Sequence, residues 1–232
     1  MSCWPTRRCA GRCSGGPDVL QVDGVRVTLR GFVILRGVGL EVRPGELVGL
    51  VGRNGAGKTT TLKSIMGLVP VSAGRILLDG VDLRPLPSHR RVQHGLGYMP
   101  EDRRLIGPLT VEDNILMPAW VRGDGDAAQR LERIYRLMPE VAALASRRAA
   151  QCSGGQQKMV ALARAVMSGT RHLLLDEPFE GLSPAMGEKF AAAIQALQQE
   201  GRGVLIAESD ARRLSFVPRI YRIERGEIVG EG

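Results

Sequence analysis

The chain is nearly without lysine: of its 32 basic residues only Lys58, Lys63, Lys158 and Lys189 are lysine. It is also poor in aromatic residues, at 4%, and no ring is interleaved with a basic run. Nucleic-acid surfaces combine clustered cations with stacking rings, so the net charge of +8 reads as scattered, solvated arginine, and no nucleic-acid partner is expected. Four cysteines give no disulfide framework, and Cys3, Cys9 and Cys13 lack a fourth ligand nearby in sequence, which argues against a metal site. No apolar run approaches the ~20 residues of a bilayer-spanning helix, so a soluble chain is expected. Residues 1 to 17, MSCWPTRRCAGRCSGGP, carry charge and cysteine but no apolar centre; they read as a disordered basic tail and not as a secretory signal.

What is present is glycine around one of the rare lysines. In VGRNGAGKTTTL, residues 51 to 62, Gly52, Gly55, Gly57, Lys58 and Thr59 fit the phosphate-loop pattern G-x-x-x-x-G-K-[ST], with Asn54 inside it and Thr60 behind it. Glycines there let successive backbone N–H groups turn inward around phosphate oxygens. At average residue frequencies four fixed positions coincide in a chain of this length about 1% of the time. The setting strengthens the reading: GELVGLV before it has the pattern of a buried strand, and KTTTLKSIMGL after it puts Leu62, Ile65 and Met66 on one helical face.

At 232 residues the chain is one domain, long enough to bury a full core. VLQVDGVRVTLR and GVGLEVRPGE alternate like strands, followed by SAGRILLDG and GLGYM. After Pro100 the character turns helical: TVEDNILMPAW, then AAQRLERIYRLMPEVAAL, read as one run with Leu131, Ile134, Tyr135 and Met138 at helical spacing. Strand signals return in RHLLLDEP and GRGVLIAE, each after a helical stretch, and RIYRIERGEIVGEG closes as a hairpin-like pair. Strands alternating with helices predict an α/β core.

Two further stretches carry chemistry. RHLLLDEP ends an apolar strand on Asp176 and Glu177; beside a phosphate loop, one carboxylate suits a Mg²⁺ shell and the next suits a water to be deprotonated. In CSGGQQKMVALARAVM, Ser153 can cap a helix whose buried face is Met159, Leu162, Ala163, Val166 and Met167, while Gly154 and Gly155 permit close backbone approach and the helix N-terminus favours phosphate. Phosphate loop, helical insert, SGGQ segment and Asp-Glu strand, in that order, resemble the nucleotide-binding subunits of ABC-type ATPases from about Val19 to the end.

The resemblance implies a P-loop ATPase core with a mixed sheet, an N-terminal antiparallel β subdomain and an inserted α-helical subdomain at about 102–164, in an ABC domain of residues 18–232. It implies ATP and Mg²⁺, and a head-to-tail pair of subunits that sandwich two ATP molecules. Lys58 would contact the β and γ phosphates, Thr59 and Asp176 would serve Mg²⁺, and Glu177 would be the catalytic base. Ser153, Gly154, Gly155 and Gln156 would close the opposite site, and EGLSP, residues 180 to 184, matches the loop along the dimer interface. The partners implied are a second ABC ATPase subunit, integral membrane permease subunits and, indirectly, a substrate-binding protein, with this subunit on the cytoplasmic face of the cell membrane.

More narrowly, GYMPEDRRLIGPLTVEDNI and RIERGEIVGEG look like the ATPases of branched-chain amino acid and related urea or amide importers. Three positions depart from the general pattern: Glu101 replaces the usual Mg²⁺-binding glutamine, Ser209 the usual histidine, and Leu29 the usual adenine-stacking tyrosine. The branched-chain subgroup often shares the first two departures. For the third, Phe32 offers another ring, and a lost stacking ring costs on the order of 1 kcal/mol. The alternative reading is a degenerate, weakly hydrolysing half of an ABC heterodimer. A ribosome- or DNA-acting ABC ATPase would show a tandem duplication or a long coiled-coil insert, and neither is present.

Overall fold

Three short hairpins in this molecule turn by the same device. In a computed structural model, which describes residues 18–232, the pairs Arg30-Gly31, Asp79-Gly80 and Arg225-Gly226 all have positive φ at both positions, as a two-residue turn matched to strand twist requires. The first joins β1 (Leu20–Leu29) to β2 (Phe32–Val42); the second joins β4 (Ala73–Leu78) to β5 (Val81–Asp82). These four strands form an antiparallel sheet in the order β2-β1-β4-β5. Its alternating pattern buries Val22, Val25 and Val27 with Leu35, Val38 and Leu40. The expected basic tail, with Cys3, Cys9 and Cys13, lies outside the described residues.

The second sheet has six strands in the order β10-β9-β3-β8-β7-β6. Here β3 (Leu47–Val51), β6 (Leu96–Met99), β7 (His172–Asp176), β8 (Gly203–Glu208) and β9 (Arg219–Glu224) run parallel, and β10 (Glu227–Glu231) folds back antiparallel through the third hairpin. Every residue of β7 and β8 is buried, the expected state of a parallel strand covered on both faces. The carboxyl ends of β3, β8 and β7 therefore lie side by side at one edge, and ligand crevices form where such ends converge.

Helices cover both faces. α1 (Lys58–Ile65) follows β3, and α2 (Ser88–Gln93) precedes β6. Between β6 and β7 come α3 (Val111–Arg122), α4 (Ala127–Leu137), α5 (Pro139–Ala142) and α6 (Gly154–Ser168); α7 (Pro184–Gln199) precedes β8. One core cluster joins Met99, Ile115, Met159, Leu162 and Phe190, and the other packs Leu62 and Ile65 of α1 between the two sheets. The stretch read as one helix from Ala127 onward is two, because Pro139 bars the helical conformation at Met138, which takes φ −134 and ψ 72. Among the described residues no helix is long and apolar enough to cross a membrane.

Asn114, on α3, is fully buried and ties the loop behind Pro100 to the helix. Its Oδ1 accepts from Ile106 N at 2.8 Å, while its Nδ2 donates to Ile106 O at 3.1 Å and to Thr110 O at 2.9 Å. Asn114→Ala deletes all three bonds and strands the Ile106 N–H. The expected loss is about 2–4 kcal/mol, read as a lower urea midpoint at an unchanged m-value; an unshifted midpoint would show that the loop is held by other contacts.

Candidate functional site

A cleft of 380 Å³ opens at the converging strand ends. Its walls come from the loop after β3 (Asn54, Gly55, Gly57), the start of α1 (Lys58, Thr59, Thr60), and Glu101, Glu177, Glu180, Ser209 and Ile34. The glycine loop has steric reasons for its composition. Gly57 sits at φ 113, and a Cβ there would stand 2.8 Å from Leu35 Cδ2; a Cβ on Gly52 would stand 2.3 Å from the Ile223 carbonyl oxygen. With these glycines the loop closes onto the sheet and turns its N–H groups toward the cleft.

Lys58 is 5% exposed. Its ammonium donates to Gly52 O at 2.7 Å and to Arg53 O at 3.3 Å, and pairs with Glu177 Oε1 at 3.1 Å. The other oxygen of Glu177, Oε2, accepts from Ser209 N at 3.1 Å and Ser209 Oγ at 3.2 Å. Burial alone would raise the Glu177 pKa, but hydrogen bonding with the Glu208 side chain, with Lys58 and with the Ser209 N–H outweighs it and holds the carboxyl below its ordinary value. Its neighbour Glu208 moves the other way: burial and then the adjoining Glu177 push it up to about 7, against the Phe179 N–H, 2.9 Å from Oε1, and Arg213, 3.2 Å from Oε2.

Asp176 closes a second corner. Thr59 Oγ1 donates to Oδ1 at 3.0 Å and Tyr98 Oη to Oδ2 at 3.3 Å. Burial nevertheless raises the pKa of Asp176 to about 6. A hydroxyl and a carboxylate placed together at the edge of a phosphate loop are hard oxygen donors of the kind Mg²⁺ takes, and an adjoining cavity of 420 Å³ lined by Thr59, Tyr98, Glu101 and Asp176 leaves room for its waters. The donor set fits the metal, and the glycine cradle with its buried ammonium fits a polyphosphate.

The structure thus brings together Asn54, Gly55, Gly57, Lys58, Thr59, Thr60, Glu101, Glu177 and Ser209, with Asp176 adjoining and Gly52 behind the loop. It does not bring the SGGQ segment there. Ser153 caps α6 in a capping box with Gln156, at 3.3 Å and 2.8 Å, and together with Gly154 and Gly155 this turn sits at the surface outside the cleft. Leu29, expected at the adenine position, is half-buried against the core of the antiparallel sheet, as is Ile34, which lines the cleft. Phe32, opposite Leu29 across the hairpin, is 73% exposed. Sequence reasoning missed Tyr98, which ends two residues before Pro100 in β6, and Lys158, whose scarcity as a lysine was the available signal. Ser209, which stands where the family has a histidine, lines the cleft with its N–H and hydroxyl both on Glu177.

Comparison with known proteins agrees with this geometry. The family model described as ABC transporter matches residues 35–180. LptB of Escherichia coli K12, a lipopolysaccharide export system ATP-binding protein, is 37% identical over 206 residues, covering 88% of this chain and 86% of its own length. BraG of Pseudomonas aeruginosa, a high-affinity branched-chain amino acid transport ATP-binding protein, is 35% identical over 212 residues and 91% of each chain. Among solved structures, the dimeric form of MJ0796, a bacterial ABC transporter cassette, superposes with a TM-score of 0.82 at 26% identity over 92% of this chain and 97% of that one. A phosphate loop and an acid pair meeting at one sheet edge, in a chain that aligns with these cassettes along nearly all its described length, place it in the family of ABC transporter ATP-binding subunits.

Proposed function

We propose that this chain hydrolyses ATP to drive a separate membrane permease, and that the permease imports branched-chain amino acids or related small polar solutes. The observation that carries the hydrolytic reading is the convergence of Lys58 and Thr59, behind β3, with Asp176 and Glu177, at the end of β7, from two stretches far apart in sequence. In this reading the N–H groups from Gly55 to Thr59 and the Lys58 ammonium receive the β and γ phosphates. Thr59 Oγ1 and Asp176 would hold Mg²⁺, with Glu101 beside them, and the chemistry it would supply is neutralisation of charge on the phosphate oxygens. Glu177 takes the proton of the attacking water. Ser209 keeps Oε2 occupied, so Oε1, now on Lys58, becomes the free acceptor once Lys58 turns to phosphate.

Ser153 and Gly154, exposed away from the cleft, with the half-buried Gly155 and Gln156, suit the closing of a second subunit's site in a head-to-tail pair, a reading supported by the dimeric form of MJ0796. The pair would sit on the cytoplasmic face of the membrane against its permease. Import rests on Glu101 and Ser209, which follow the branched-chain subgroup, and on the likeness to BraG. A second reading, export, is favoured by the 37% identity to LptB. Identifying the membrane proteins that co-purify with the chain, then measuring uptake of labelled leucine by vesicles holding the complex, separates the two. The intact lysine and both acids argue against a degenerate half-site.

Lys58→Ala should abolish tight ATP binding, because it removes the one ammonium set among the phosphate-facing N–H groups. Equilibrium binding of a fluorescent ATP analogue with Mg²⁺ checks this, with Lys63→Ala as a near-neutral control; wild-type affinity in the Lys58 variant would take that residue out of the site. Glu177→Gln should slow hydrolysis by about 10²–10⁴-fold while ATP still binds, and light scattering should then report an ATP-dependent dimer. Hydrolysis at the wild-type rate would move the base elsewhere.

A pH dependence follows from Asp176, whose pKa is raised to about 6. Mg²⁺ takes the ionised carboxylate, so protons compete with it below that value and not above. Apparent Mg²⁺ affinity in the presence of ATP should be level between pH 7 and 8 and should weaken toward tenfold per unit below about pH 6. Calorimetric titration at several pH values gives the curve. Asp176→Asn should abolish the Asp176-linked part of it, and a curve unchanged by that substitution would exclude Asp176 as its source.

A further inference from the structure

Lys158 stands in the second turn of α6 and is 5% exposed, beside the buried run Met159, Val160, Ala161 and Leu162 of that helix. A buried ammonium destabilises a fold more than an apolar side chain of similar shape unless something specific holds it. Its ammonium donates to the backbone carbonyl oxygen of Glu177 at 2.8 Å. Burial lowers the pKa of Lys158, while Glu180 and Glu208 oppose that shift and Arg103 and Arg213 add to it.

The peptide it grips is an unusual one. Glu177 has φ 46, in the left-handed region that residues other than glycine seldom adopt; unlike the exposed turn residues Arg30, Asp79 and Arg225, which share it, Glu177 is buried. Its N–H is fixed to Ala207 O at 2.9 Å, but its carbonyl otherwise has only the Glu180 N–H at 3.3 Å. With N–H and C=O both fixed, the Cα–Cβ bond is aimed, and the carboxylate is directed to Lys58 and Ser209. The same helix is clamped at its far end by Arg202, which donates to Val166 O and Gly169 O, and near its start by Arg103, which donates to Gly154 O at 3.3 Å. Lys158 is therefore a rigid link between the turn at Ser153 and the backbone of Glu177.

We propose that Lys158 is a positioning residue for hydrolysis: its ammonium holds the Glu177 peptide in the conformation that aims the carboxylate, so that the placement of Glu177 depends on α6. The proposal rests on the reading of Glu177 as the base. Steady-state ATPase and binding of a fluorescent ATP analogue, measured on the full chain, test it with a double-mutant cycle. Lys158→Met, which keeps volume and removes the donor, should lower kcat about ten- to fiftyfold with KM and analogue affinity within about twofold of wild type. Lys158→Gln, a milder change should the methionine variant fail to fold, should lose kcat in the same manner but less. In a Glu177→Gln background either substitution should cost nothing further, because a positioning residue has nothing left to position. Wild-type kcat in either folded variant, a matched fall in analogue affinity, or an additive loss in the double variant would each overturn the proposal. If Glu177→Gln alone keeps the wild-type rate, the assignment of the base fails instead, and the cycle distinguishes that result from a failure at Lys158.

Discussion

The ion pair between Lys58 and Glu177, 3.1 Å long and almost closed to solvent, is the contact around which the rest of this site is arranged. Breaking a buried pair by removing one partner costs about 3–5 kcal/mol, so each charge leaves the other readily only in exchange for an equivalent one. A phosphate is such a charge. In the function proposed above, the ligand that displaces the carboxylate from the ammonium would also deliver the carboxylate to the reacting centre. This requires three chain segments to be fixed independently of the pair. Glycines pin the loop to β9 through Gly52, parallel strands β7 and β8 bring Glu177 beside Ser209, and α6 grips the Glu177 peptide from behind.

Much of this was legible in the sequence because the chemistry was local. The phosphate loop is a contiguous pattern whose glycines are demanded by contacts at 2.3 Å and 2.8 Å, and Asp176 and Glu177 are adjacent at the end of an apolar run. The α/β alternation, the final hairpin and the Ser153 cap likewise depend on neighbours within a few positions. What the sequence did not show is decided by long-range geometry. Strand order 10-9-3-8-7-6 places Ser209 within reach of Glu177, 32 positions earlier, and turns its hydroxyl inward. Leu29 was assigned by position in a motif, and the half-buried packing of that residue on the core is set by the phase of β1, which a motif does not carry. The division of one helical run into α4 and α5 was readable, since Pro139 forbids what periodicity alone suggested.

Lysine scarcity was applied to only one of the four positions it covers. It drew attention to Lys58 because a motif surrounded that residue, and passed over Lys158, which lies in an amphipathic helix and reads as a solvated position. An ammonium is a compact point donor that suits a single carbonyl, whereas the buried Arg91 and Arg202 each serve more than one. Both buried lysines meet Glu177, one at its carboxylate and one at its carbonyl.

The two adjacent acids show how environment divides labour between like groups. Asp176 is buried with hydroxyl donors alone, and its pKa rises to about 6, which leaves a carboxylate whose charge a divalent cation would stabilise. Glu177, one residue on, turns through a left-handed backbone step to the opposite side and meets an ammonium and an N–H, which hold it ionised. Had the chain continued as strand, successive side chains would still have diverged, but Glu177 would have followed the line of β7 instead of reaching Ser209 at the end of β8. The step at φ 46 is what places two acids of different environment in adjoining cavities, the division that the proposed metal and base roles require, and its cost is met by contacts from β8 and α6 outside the cleft.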